Sequence, residues 1–380
     1  MKKLSLILVT LFCACSLFAQ EEKKPDTISA KLASYTVAEP QGAYTPSFKI
    51  DGKECKVKNV ILLIGDGMGL GAVASSMFAN GELTMTNLHT VGFTRTQSAN
   101  SFTTDSAASG TAYATGHKTN NGYLGVDTEK EPLANIPEKI SPLGYACGVV
   151  STDQITGATP GAFYAHQGSR GSTEEIAADL AKSKLNFASA GSTKFFNSLP
   201  MNTQDAIRKL FNVTFTAEDA AAAAQGDGNV AFFPESTGDD RGNYLPETTE
   251  MAIKYLSKKS KKGFFLMVEG AHIDHGAHSN KYDTTIKETL DFDKAVEAAV
   301  RFAEQDGHTL VIVSADHETG GIALRNGNIE ENRVQCTFST GGHTPVMVPL
   351  FAYGPKSKRF SCVQENSDVS NKIVEILTNK

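Results

Sequence analysis

The chain has 380 residues, 40% hydrophobic and 21% charged, with a net charge of -6, enough apolar material for one large core or two ordinary ones. The acidic balance argues against a nucleic-acid binder, which needs a basic face. It does not exclude a phosphate pocket, whose field is set locally by the ions it holds.

Lys2 and Lys3 open the chain and are followed by the mostly apolar run 4–17, too short to span a bilayer comfortably. Polar residues begin at Gln20, so residues 1–19 read as a secretory signal cleaved after Ala19. Its removal takes away only Lys2 and Lys3, and the charge becomes -6 - 2 = -8. A lipid anchor through Cys15 fits less well, because Phe12 and Cys13 precede it. No other run is long enough to be transmembrane, so the expected location is periplasmic or extracellular. Export leaves Cys55, Cys147, Cys336 and Cys362, none in a CxxC, and the sequence does not choose among their three pairings.

Residues 20–55 are polar and turn-rich and read as an arm or linker before a single domain, 56–380. Near-continuous apolar runs at 57–64, 145–150, 263–268, 309–314 and 346–353 predict strands buried on both faces. Helical patterns are predicted over 172–183, 246–258, 282–304 and 367–377, with an Ala-rich surface helix at 217–224. The alternation implies an α/β sandwich with a mainly parallel sheet. Acidic and histidine residues follow the ends of the apolar runs: Asp66 after the first, Glu269 after Val268, Asp316 and His317 after Ser314. In a parallel sheet those points share the carboxyl edge, where ligands bind.

Five segments carry the chemistry. Glycines around Asp66, in Ile64-Gly-Asp-Gly-Met-Gly69, let the chain turn sharply and leave the carboxylate uncovered. In Thr103-Thr-Asp-Ser-Ala-Ala-Ser-Gly110, Thr104 or Asp105 can cap a helix starting near Ser106, setting that hydroxyl at a positive helix terminus. The segment 269–278 packs Glu269, His272, Asp274, His275 and His278 among glycines and apolar residues, a set suited to divalent ions. Asp274 and His278 are four apart and face the same way on a helical turn. Asp316 and His317 can share one cation if the backbone turns between them, and His343 stands in a Gly-rich loop. Arg170 is a planar, bidentate group suited to phosphate.

In this order the segments resemble the alkaline phosphatase family, from about Lys56 to the C-terminus, the shorter bacterial members most of all. DSAAS, VEG with the Asp and His that follow, and ADHETGG carry the resemblance. It implies a three-layer α/β/α sandwich, hydrolysis of phosphate monoesters with broad specificity, and a homodimer. It makes Ser106 the nucleophile and Arg170 the clamp on the phosphate oxygens. It places Asp274, His278 and His343 around one Zn2+, and Asp66, Ser106, Asp316 and His317 around a second. Mg2+ takes Asp66, Thr159 and Glu269. Four carboxylates in one pocket are costly unless cations compensate them. Three divalent ions and Arg170 leave a positive balance that suits a phosphate dianion.

The chain departs from the family at Gly157, where members carry Asp or His, and at His275, which stands directly after Asp274. His275 is the candidate to replace part of what Gly157 removes; His272 reads as a rim or packing residue. His343 follows His317 by only 26 positions, so no large surface domain is inserted there. Rival readings are a phosphodiesterase or sulfatase on the same fold, and a non-catalytic exported phosphate or metal binder. The Ser106 context and Arg170 speak against both.

Overall fold

The computed structural model describes residues 32–378; the expected signal segment lies outside the described residues. From one edge, the ten-stranded central sheet runs Val363–Glu365, Thr90–Arg95, Val348–Tyr353, Thr309–Ser314, Asn59–Gly65, Phe264–Gly270, Ala146–Ser151, Phe187–Ser189, Asn229–Phe232 and Phe211–Thr214. Among the described residues of this sheet, Val348–Tyr353 alone runs against its neighbours. The sheet is mainly parallel, as the strand–helix alternation requires.

Every residue of Asn59–Gly65 is buried. Ile61 and Leu63 face one core, with residues of helices Leu70–Asn80, Tyr244–Lys259 and Tyr282–Asp306. Val60, Leu62 and Ile64 face the other, with helices Ser106–Thr115 and Asn366–Thr378. The alternation of side chains across a strand thus produces the three α/β/α layers.

The long apolar strands lie within two residues of their predicted bounds. Phe264–Gly270 extends past Val268, so Glu269 sits inside the strand. Thr90–Arg95 was not predicted: its burial alternates and it carries a glycine and a charge, so it lacks the continuous apolar signature. The arm is fastened to the body, because Ala33–Thr36 pairs antiparallel with Arg333–Phe338, which pairs in turn with Ile322–Asn328. Cys55, Cys147, Cys336 and Cys362 are all free thiols. Cys147 and Cys336 lie inside strands, where burial pushes both thiols up. No helix among the described residues is long and apolar enough to cross a membrane.

Candidate active site

Strand register sets the site. Ile64 pairs with both Glu269 and Ser314, and Glu269 pairs with Ser151, so four central strands end level. Side chains just past that level come from remote parts of the sequence and meet at the carboxyl edge.

Asp66 leaves the first of these strands, and Gly67 behind it has φ +68. A β-carbon on Gly67 would lie 2.8 Å from Asp274 Oδ1. The loop can pass over the Asp274 carboxylate only as glycine. Asp316 is fully buried. Its Oδ1 accepts from Gly67 N at 3.0 Å and from His317 N at 2.9 Å. Its Oδ2 lies 3.1 Å from His317 Nε2 but has no partner in hydrogen-bonding geometry. The same ring nitrogen lies 3.4 Å from Asp66 Oδ1, another buried oxygen without a hydrogen bond. It is also 3.2 Å from Ser106 Oγ.

Ser106 is the first residue of helix Ser106–Thr115. Asp105 is its N-cap, Oδ1 accepting from Ala108 N at 2.9 Å. The second oxygen, Oδ2, accepts from Gly122 N at 3.0 Å and from Arg170 Nη1 at 3.2 Å. One carboxylate therefore fixes both the helix start at Ser106 and the guanidinium of Arg170, whose side chain is 43% exposed at the mouth of the site.

A second cluster stands beside the first. Asp274 and His278 lie on the turn His272–His278, with His278 Nε2 3.2 Å from Asp274 Oδ2. His343 Nε2 is 3.0 Å from His278 Nε2 and 3.7 Å from Asp274 Oδ1. Each ring turns its Nδ1 to a backbone carbonyl, Gly341 O at 2.7 Å for His278 and Thr104 O at 2.8 Å for His343. Those carbonyls assign the proton to Nδ1 in the neutral rings, which aims the two Nε2 lone pairs at each other. Such a pair needs a proton or a cation between its members. The groups Asp274, His278, His343 and Asp66, Asp274, His317 each bring their ligand atoms within 4.8 Å of one another.

A third group flanks Glu269, which accepts from the Ser151 hydroxyl. The Thr159 hydroxyl lies beside it, fully buried and without a hydrogen bond of sound geometry. Burial and then the charges of Asp316, Asp274 and Glu269 push Asp66 well up. Burial and then Asp153 push Glu269 to about 8. Burial would raise Asp274 too, but the hydrogen bond to His278, the His317 charge and the Thr319 hydroxyl hold it low. That hydrogen bond lifts His278 to about 9. Burial works against charge on His317, yet neighbouring Asp316 raises it. Excess negative charge with imidazoles gathered over it is the electrostatic form of an ion-binding site.

The structure thus brings Asp66, Ser106, Asp274, His278, Asp316, His317 and His343 together, with Thr159 and Glu269 on one side and Arg170 at the mouth. His275 is exposed and its ring stacks on His272 at 4.8 Å. Three residues escaped the sequence reading. Asp105 was read only as a cap. Thr319 donates to Asp274 Oδ1 at 2.5 Å. Asp153 follows the end of Ala146–Ser151, the same edge position that singled out Asp66 and Asp316, and the signal was there to be used.

A family model described as Alkaline phosphatase matches residues 57–198 and 226–333. Alkaline phosphatase 4 of Bacillus subtilis is 34% identical over 301 residues, which is 73% of this chain and 65% of that protein. The Escherichia coli K12 alkaline phosphatase is 29% identical, over 86% of this chain and 88% of its own length. Among solved structures, the alkaline phosphatase of the Antarctic bacterium TAB5 superposes with a TM-score of 0.79 at 36% identity, covering 87% of this chain and 99% of that one. A variant of the TAB5 protein is described with Mg bound.

Proposed function

Since the chain belongs to the alkaline phosphatase family, whose members hydrolyse phosphate monoesters with divalent metal ions, we propose that Ser106 carries the reaction through a phosphoserine intermediate, beside two Zn2+ and one Mg2+. The observation that carries this reading is the setting of Ser106 Oγ. It stands at a helix N-terminus, 3.2 Å from His317 Nε2, where the buried oxygens Asp66 Oδ1 and Asp316 Oδ2 also point without hydrogen bonds.

The residues fit the ions. Asp274, His278 and His343 would hold one Zn2+, and Asp66, Asp316 and His317, with Ser106, the other, a mix of imidazole and carboxylate suited to zinc. Asp66, Thr159 and Glu269 offer oxygen alone, which suits Mg2+. Bound there, such cations make a hydroxyl and a water more acidic and screen charge on phosphoryl oxygens.

The chain's own groups do the rest. Ser106 Oγ, as alkoxide, forms a bond to phosphorus in line with the ester oxygen, which departs with the bonding pair and takes a proton from water. A second in-line displacement by water breaks the Ser106 Oγ–P bond and releases phosphate. Two displacements leave the configuration at phosphorus retained. The amide end of helix Ser106–Thr115 favours negative charge on Oγ and on the bound group. Arg170, steadied by Asp105, holds two non-bridging oxygens with its planar fork. Nothing in this constellation reads the leaving group, which matches broad specificity.

The reading is tested by measuring bound zinc and magnesium alongside hydrolysis of p-nitrophenyl phosphate, and by acid-quenching the enzyme with labelled phosphate. A phosphorylated peptide containing Ser106 and chelator-sensitive turnover are expected; label on another residue would overturn the assignment. Faster turnover of a diester or sulfate than of the monoester would transfer the chain to a sister activity on the same fold.

Asp105→Ala should raise KM for the monoester and the inhibition constant for phosphate by about tenfold, the scale of one charge-assisted hydrogen bond. It should also cost about 1 kcal/mol of stability through loss of the cap. Asp105→Asn retains a capping oxygen, so it should show the kinetic loss with little of the thermal one. Steady-state kinetics and thermal melts separate the two. The reading also includes export, resting on residues 1–19, and a homodimer, which light scattering on the purified protein reports.

A further inference from the structure

We propose that Asp153 completes the third cation site in place of a side chain at position 157, adding a fourth oxygen donor to a site that prefers Mg2+. The inference rests on the three-cation reading above and adds a residue which that reading does not contain.

Gly157 stands two positions before Thr159, whose buried hydroxyl lacks a hydrogen bond. A β-carbon built on Gly157 would lie 2.0 Å from Asp153 Oδ2 and 2.7 Å from Asp153 Cγ. The Asp153 carboxylate therefore fills the space in which a side chain at 157 would begin. Backbone conformation is not what demands glycine there, since φ is -57 and ψ 159, angles open to any L-residue. The demand comes first from the carboxylate, with the backbone oxygen of Gln154 behind it at 2.9 Å.

The local fold delivers Asp153 to that place. The chain leaves strand Ala146–Ser151 and turns back: Asp153 N donates to Ser151 Oγ at 2.8 Å, and Gly157 N to Gln154 O at 2.8 Å. Asp153 Oδ1 is held by Gln154 N at 2.6 Å. Oδ2 takes no hydrogen bond from the described residues, so it is free for a ligand. The Ser151 hydroxyl that accepts from Asp153 N donates to the Glu269 carboxylate, which ties the two acidic residues to one frame. The neighbouring groups of opposite sign are His275 and Arg170, both exposed and on the solvent side. Neither neutralises the pair, and a half-buried carboxylate beside the buried Glu269 calls for a shared cation.

With Asp153 added, the donors are Asp66, Thr159, Glu269 and Asp153, without an imidazole or thiolate. Mg2+ favours such oxygens and retains water, which a free carboxylate oxygen can accept from; zinc gains more from imidazole. An acidic residue four positions upstream thus does the work of one at 157, and Gly157 is the space that admits it.

The test is a reciprocal exchange of the carboxylate: wild type, Asp153→Ala, Gly157→Asp and the double variant. Zinc and magnesium are counted by mass spectrometry after equilibration with fixed Zn2+ and graded Mg2+, and the Mg2+-dependent rise in melting temperature is read in parallel. Asp153→Ala should weaken Mg2+ binding by at least about tenfold, as loss of a supporting ligand does, with both zincs kept. Gly157→Asp should bind Mg2+ poorly, because two carboxylates compete for one space, and the double variant should recover binding. Asp153→Asn, close in shape, should also lose Mg2+.

Wild-type Mg2+ affinity in Asp153→Ala, equal loss of zinc and magnesium, or a double variant no better than either single one would each overturn the proposal. A wild type that holds zinc but never magnesium would remove the three-cation reading, and this inference with it.

Discussion

Replacing Ser106 with alanine is expected to lower kcat for an aryl phosphate by roughly four orders of magnitude or more, in line with loss of a nucleophile elsewhere, while zinc and magnesium contents stay as in the wild type. Ser106 is 5% exposed and opens its helix, followed by Ala107 and Ala108, so alanine fits without disturbing the cap supplied by Asp105. Of the oxygens around His317 Nε2, those of Asp66 and Asp316 belong to carboxyl groups that the proposed cation would engage. The hydroxyl is the group that can be converted to a nucleophile there. Residual turnover would reflect water attacking directly in the same electrostatic field, and it would proceed with inversion at phosphorus instead of retention. Stopped kinetics with a chiral monoester, beside metal analysis, decide the matter; an alanine variant within tenfold of wild type would end the nucleophile's assignment.

Stripping the cations with a chelator is expected to abolish turnover and to change how stability depends on pH. Without them, Asp66 and Glu269 face Asp316 and Asp274 across a buried pocket. Glu269 is raised from 4.5 to about 8 in the fold, so between those values the folded state holds a proton that the unfolded chain has released. Stability from such a group is fully present below the unfolded value and is lost as pH rises through the folded one. His278, raised from 6.5 to about 9, acts in the same direction over an overlapping window. The stripped protein should therefore melt at a higher temperature near pH 5.5 than near pH 8.5, and Zn2+ with Mg2+ should restore stability mainly at the higher pH. Differential scanning calorimetry of stripped and reloaded protein reads this. Equal melting of the stripped form at both pH values would show that these groups do not share a charged, ion-demanding pocket.

Much of the site was legible because edge position in a parallel sheet is a local property. Asp66, Asp316 and His317 were marked by where an apolar run stops, and Asp274 and His278 by four-residue spacing on one helical turn. Glu269 was placed correctly at the end of its run even though its strand extends one residue beyond it. Less was legible where the cue was length: Phe187–Ser189, Asn229–Phe232 and Val363–Glu365 are three or four residues long, too short to set a periodicity apart from loop. The arm at 20–55 looked independent because its pairing partner, Arg333–Phe338, lies some 300 positions away.

By itself the sequence determined the strand–helix alternation of an α/β sandwich, the gathering of acidic and histidine residues at strand ends and the stock of candidate ligands, since apolar patterning, glycine placement and strand ends are all written within a few residues. Only the tertiary structure decided how atoms from different loops share space. It turned the Nε2 atoms of His278 and His343 toward each other, made one Asp105 carboxylate serve both the helix of Ser106 and Arg170, and set Asp153 into the volume that Gly157 leaves. These outcomes depend on side-chain direction and on close approach between remote segments, set by packing of the whole chain rather than by any local pattern.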